Sequence, residues 1–120
     1  MDKISYKDFQ IIMHRKIEED NPSEIDFYID DCKIYELCYM GKMVDKETNG
    51  YAYWFGLVKG GSQAYDYPTF EEFANAKVFY GKQSLKEIWD RVSITSLNGG
   101  TCEEMLAHYL GEANPALQAV

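Results

Sequence analysis

The stretch from Tyr51 to Val58 limits what this chain can fold into more than any other segment. Tyr51, Tyr53, Phe55 and Leu57 alternate with Ala52, Trp54, Gly56 and Val58, so neither side of an extended chain would be strongly polar. The run is rich in the aromatic and β-branched residues that fit a pleated sheet. Asn49-Gly50 before it supplies a tight turn, and Gly60-Gly61 closes it. A strand apolar on both faces belongs in the middle of a sheet, with a neighbour on each side.

Its first neighbour is the stretch from Lys33 to Met43, which carries two patterns. Tyr35, Leu37 and Tyr39 alternate as in a strand, while Ile34, Leu37, Cys38 and Gly41 fit a helical face. The Asn49-Gly50 turn favours the strand, and the two stretches form a hairpin. Glu24 to Asp31 alternates cleanly, with Ile25, Phe27 and Ile29 inward and Asp26, Tyr28 and Asp30 outward. Ser93 to Leu97 reads as a short strand with Ile94 inward, ended by Asn98-Gly99-Gly100.

Helices are announced by their caps. Ser5, three residues before Asp8, resembles a capping box, and Tyr6, Phe9, Met13 and Ile17 follow at helical spacing. This helix is predicted to end near Asp20, where Glu18-Glu19-Asp20 meets the negative end of the dipole and Asn21-Pro22-Ser23 breaks the chain. Thr69 to Glu72, Ser84 to Glu87 and Thr101 to Glu104 match the full box and predict three short helices. Lys77 to Tyr80 is either extended or one more turn of the first of these. The last helix carries Met105, Leu106, Tyr109 and Leu110 on one side and is predicted to stop at Gly111. The expected fold is α+β: a small antiparallel sheet of three or four strands, packed by the N-terminal helix and two or three short C-terminal helices. Residues 1–111 are expected to form one domain, with 112–120, containing Asn114-Pro115, as a loose tail.

Twenty acidic against twelve basic residues give a formal net charge of -8, which repels nucleic-acid phosphates and anionic membranes. The charged N-terminal residues do not form a secretory signal, and no segment reaches the apolar length of a membrane span, so a cytoplasmic protein is expected. Cys32, Cys38 and Cys102 are an odd count and are expected to stay reduced.

No set of residues points to catalysis, a metal or a cofactor. Cys102 falls in a first helical turn, where the dipole lowers a thiol pKa, but Glu103 and Glu104 oppose this and His108 projects to another side of the helix. Cys32, Cys38, Cys102 and His108 are the ligand types zinc prefers, yet each pair is separated by five residues, too far for one tight turn. Asp30-Asp31, Glu71-Glu72 and Glu103-Glu104 are adjacent pairs whose side chains diverge. Gly60-Gly61 and Gly99-Gly100 lack the spacing of a phosphate-binding loop.

The marked departure from average composition is aromatic: ten tyrosines, six phenylalanines and two tryptophans, 15% of the chain. Tyrosine joins a large apolar body to a polar tip, which suits it to interfaces. Tyr51, Tyr53, Trp54, Tyr65, Asp66, Tyr67 and Tyr80 are therefore the candidate partner-binding residues, with Tyr65-Asp66-Tyr67 in a predicted loop between Gly61 and Pro68. The same rings would also serve to pack a sheet and cover its edges. An acidic, tyrosine-rich chain with no catalytic set is similar in composition to small bacterial or phage inhibitor and immunity proteins. That similarity implies a stoichiometric binding protein acting on a basic partner, steered by charge. One alternative is a small-ligand domain or enzyme with a pocket of Tyr53, Trp54, Phe55 and Trp89. Another is a homo-oligomer whose tyrosines form its own interface.

Overall fold

The alternation of Glu24 to Asp31 is realised in strand β1 (Ser23–Ile29), which buries Ile25, Phe27 and Ile29. The structure, a computed structural model, describes residues 3–58 and 61–113. Strand β1 pairs with β2 (Cys38–Asp45), and a loop in which Asn49 has φ 58° leads into β3 (Gly50–Leu57). β4 (Gln63–Tyr67) and β5 (Val92–Leu97) complete one antiparallel sheet in the order β4-β3-β2-β1-β5, with β3 inside it. Among the described residues three helices, α1 (Tyr6–His14), α2 (Phe70–Asn75) and α3 (Cys102–Ala113), make the fold α+β.

The sheet has five strands rather than three or four. The additional one is β4, whose Tyr65-Asp66-Tyr67 segment the sequence reading placed in a loop. Val58 and Gly61 both adopt positive φ, 59° and 89°, and the Gly61 and Ser62 amides donate to the Val58 carbonyl at 3.1 and 3.0 Å. This turn folds the chain straight back, so Tyr67, Asp66 and Tyr65 lie opposite Tyr53, Trp54 and Phe55. A pair of glycines shows that a turn occurs but not how soon the next strand begins.

The aromatic residues mostly fill the space between the sheet and its helices. Phe9 of α1 stacks on Trp89 with centroids 4.3 Å apart, and Phe73 of α2 stacks on Phe55 at 4.2 Å. Among the described residues nothing covers the opposite sheet face. Glu24, Met43, Ala64 and Asp66 are exposed there, and Asp26, Tyr28, Tyr39, Ala52 and Trp54 are half-buried.

Three further expectations are corrected. The capping box at Ser84 forms both of its bonds, Glu87 N–H to Ser84 Oγ at 3.2 Å and Ser84 N–H to Glu87 Oε1 at 3.0 Å, yet no α-helix follows. A 3-10 turn, Trp89–Arg91, takes its place. Trp89 Nε1 donates to the Ile4 carbonyl at 2.9 Å and the Arg91 carbonyl accepts from Asp30 N–H at 2.9 Å, so the chain is committed to β5 before a helix can grow. Helix α3 passes through Gly111 to Ala113, and the expected tail from residue 114 lies outside the described residues. In β2 the inward stripe is Cys38, Met40 and Lys42, while Tyr39 faces outward and Leu37 is exposed, the reverse of the phase suggested by Tyr35, Leu37 and Tyr39. Both phases of that stretch are apolar, so alternation alone could not choose between them.

Lys42 also explains why α1 stops at His14 instead of near Asp20. Its ammonium donates to the carbonyls of Met13 at 2.9 Å and Arg15 at 2.8 Å, groups that a helix end leaves without partners. Arg15 is extended (ψ 151°) and its Nη2 donates to Ser23 Oγ at 3.1 Å, which turns the chain toward β1. Lys42 is 1% exposed and its Nζ lies 4.0 Å from the centre of the Tyr51 ring. Burial, aided by the nearby Arg15 charge, pushes its pKa down to about 8. A free lysine titrates near ~10.4. Between these values the unfolded chain holds a proton that the fold has released, so stability from this group rises with pH and falls again as pH drops through 8. Each pH unit in that window contributes up to about 1.4 kcal/mol. Lys42→Met should flatten this rise and, at pH 9, cost about 1–3 kcal/mol for the two abandoned carbonyls, with a smaller cost at pH 7. Urea denaturation of both proteins from pH 7 to 9.5 checks the slope.

Candidate functional site on the open sheet face

The pairing of the strands lines residues up across the uncovered face in transverse rows. One row reads Asp66, Trp54, Gly41, Glu24 across β4, β3, β2 and β1. The next reads Ala64, Gly56, Tyr39, Asp26, with Ser96 of β5 beyond. Each row therefore sets an aromatic residue directly opposite a glycine, and both rows carry a carboxylate on β1.

The glycines make room for the rings. A Cβ at Gly41 would lie 2.7 and 2.8 Å from Cζ2 and Cε2 of Trp54, so the indole lies across Gly41, and it would meet the Ser23 carbonyl oxygen at 2.1 Å. A Cβ at Gly61 would lie 3.1 Å from Cδ2 of Tyr39, whose ring borders that turn, and one at Gly56 would lie 3.8 Å from Tyr39 Cβ. An aromatic ring opposite a strand glycine shields backbone that would otherwise be exposed, which is a structural reason for both pairs. It also leaves each ring half-exposed on a shallow surface. Among the described residues no acceptor meets Trp54 Nε1, whereas Trp89 Nε1 is bonded to Ile4.

The surroundings are acidic. No outward position of β1 to β4 carries Lys or Arg, while Glu24, Asp26, Asp45 and Asp66 all occupy such positions. A depression of about 360 Å³ is lined by Glu24, Tyr39, Met43, Trp54 and Asp66 among others. A second of about 560 Å³ runs toward the hairpin past Met43, Ala52, Asp45, Glu47 and Glu19. Lys46 lies at its margin with its ammonium 2.5 Å from Glu19. A third of about 210 Å³ leads past Tyr51 to Tyr67 and Pro68, and Asp66 borders all three.

Of the residues singled out in the sequence, the structure brings Trp54 and Asp66 together as a direct cross-strand pair on this face. Tyr51, Tyr53, Tyr65 and Tyr67 alternate to the helix-covered face. There Tyr53 is buried, and Tyr67 meets Phe55 edge-on at 6.3 Å. Tyr80 is elsewhere, its hydroxyl accepting from Arg91 Nη2 at 2.8 Å and its amide donating to Tyr35 Oη at 2.9 Å. Burial raises the pKa of Tyr53, Tyr67 and Tyr80. Tyr53, Trp54, Phe55 and Trp89 do not enclose a common pocket, because Tyr53 and Phe55 point into the core, Trp54 points away from it and Trp89 stacks on Phe9. Sequence reasoning missed Tyr39, Met43, Glu24 and Asp26. Glycine inside a strand signals close approach, but only the register tells which ring it faces.

The other candidates offer no converging chemistry. Burial raises the Cys38 pKa, away from a thiolate, and Cys102 is also buried. His14 packs against Phe70 at 4.8 Å with Nδ1 2.7 Å from the Gln10 carbonyl. Among the described residues no three His, Cys, Asp or Glu side chains are placed to share a metal ion, and no helix is long and apolar enough to cross a membrane. The geometry of the face yields its own test. Gly41→Ala should cost about 1–3 kcal/mol through overpacking, and Phe55→Ala about 3–5 kcal/mol through loss of core. Trp54→Ala should cost clearly less than Phe55→Ala, as thermal melts of the three variants will show.

No family model, no curated protein and no solved structure matches this chain.

Proposed function

We propose that this chain is a protein-binding domain whose open sheet face receives a basic partner. The observation that carries this reading is a face free of helices among the described residues, with three half-exposed aromatic rings (Tyr28, Tyr39 and Trp54), four outward carboxylates and no outward Lys or Arg on β1 to β4. Central aromatics surrounded by charge suit an interface in which rings supply short-range contact and carboxylates select the partner. The net charge of -8 speeds encounter with a positively charged protein over distances of about one Debye length.

The size of the face limits how it works. A five-stranded face measures roughly 20 by 17 Å from ordinary strand spacing and rise. That is about half of a standard interface patch, so the adjoining hairpin contributes and a few central contacts dominate. Self-association through the same face is disfavoured, because two copies would set Glu24, Asp26 and Asp66 against like charges. Where the partner's basic surface is also its working surface, binding here makes the protein a stoichiometric inhibitor.

The test is capture from host lysate by the wild type and by Asp66→Lys and Glu24→Lys, at low and high salt. A basic protein held by the wild type at low salt, released at high salt and lost from both variants is the expected result. Retention that ignores salt, or that survives charge reversal on this face, would overturn the reading.

A further inference from the structure

We propose that the open face recognises arginine side chains two residues apart on an extended segment of its partner, a specificity that rests on the basic-partner reading above. The row Asp66, Trp54, Gly41, Glu24 places an indole between two carboxylates, with about 14 Å between the outer strands. A guanidinium laid on the indole would have a carboxylate within reach of its N–H edge. Guanidinium is weakly hydrated, stacks on rings and forks its N–H groups onto a carboxylate. An ammonium is compact and strongly hydrated, and this shallow face does not enclose it.

The second row is related to the first: its ring, Tyr39, stands on β2 directly opposite Asp26, and Ala64 takes the place of Asp66. Tyr39 and Asp26 follow Gly41 and Glu24 at two residues along their strands, an interval of about 6.6–6.8 Å. In an extended peptide, residues i and i+2 project to one side at that same interval. A segment lying along β2 therefore sets one side chain on the Trp54 indole over Gly41, next to Glu24, and the next at Tyr39, whose ring leans toward the Gly61 turn and whose pair partner on β1 is Asp26. Among the described residues none of Glu24, Asp26 and Asp66 is held in an ion pair, which leaves these carboxylates to an outside cation.

Isothermal titration at low salt with two blocked hexapeptides of equal charge, (Arg-Ala)₃ and (Lys-Ala)₃, separates the outcomes. The arginine peptide should bind about fivefold tighter or better, and Trp54→Ala and Glu24→Gln should each remove most of that preference while melting within a few degrees of the wild type. Glu71→Gln, exposed on the helix-covered side, should leave it intact. Equal affinity for the two peptides would overturn the guanidinium inference and leave a basic partner standing. An arginine preference that survives in Trp54→Ala and Glu24→Gln would overturn the placement. Displacement of the arginine peptide by tetramethylammonium as readily as by arginine amide would make this a general small-cation site instead. Dimerisation at the titration concentrations, read by sedimentation, would show a second copy as the occupant and also overturn it. If neither peptide binds while lysate capture succeeds, this inference alone fails; if capture fails too, so does the reading beneath it.

Discussion

The pairing of β2 with β3 sets both faces of this protein at once. With Lys42 opposite Tyr53, the next pair, Gly41 opposite Trp54, must face the other way, and Tyr39 must meet Gly56. A slip of one residue would put Lys42 on the same face as Trp54, so either the lysine would turn outward or the indole would be driven into the core. The positions themselves resist such a slip. Gly41 has no room for a side chain, and Lys42 finds its acceptors only at the end of α1. One register thus fixes where the first helix ends on the covered side and where the rings lie on the open side.

The buried lysine is costly, and the same burial that makes it so lowers its pKa. Among the described residues no carboxylate is bonded to it; two main-chain carbonyls and the faces of Tyr51 and Tyr53 receive the charge. Arg15, beside it, lies 4.3 Å from the Tyr109 ring and bonds Ser23. The covered side therefore holds buried positive charge next to helix ends, while the open side holds carboxylates. The sheet separates charge by face, which a net charge computed from composition does not show.

Much of this architecture was legible in the sequence because local chemistry determined it. Ser5, Thr69 and Thr101 cap the three helices through the amides of Asp8, Glu72 and Glu104, as their spacing requires. The alternation of β1 and the centrality of β3 follow from which residues can face water. What could not be read is whatever depends on partners distant in sequence. The end of α1 depends on Lys42, 29 residues from Met13. The failure of a helix after Ser84 depends on Trp89 reaching Ile4, 85 residues away. For the site, Trp54 and Asp66 were found because aromatic and acidic residues stand out, but four of the five tyrosines grouped with them face the core side and Tyr80 lies elsewhere. Assigning faces needs the register, and the register needs the turn at Val58 and the contacts of Gly41.

The claim that function resides on the open face is tested most directly by amide and indole proton–nitrogen spectra during titration with the arginine peptide at low salt. The Trp54 indole resonance and the amides of Glu24, Asp26, Tyr39 and Asp66 should shift together and saturate, while the Trp89 indole, bonded to Ile4, stays in place. Shifts confined to the helix-covered side, with the Trp54 indole unmoved, would contradict it.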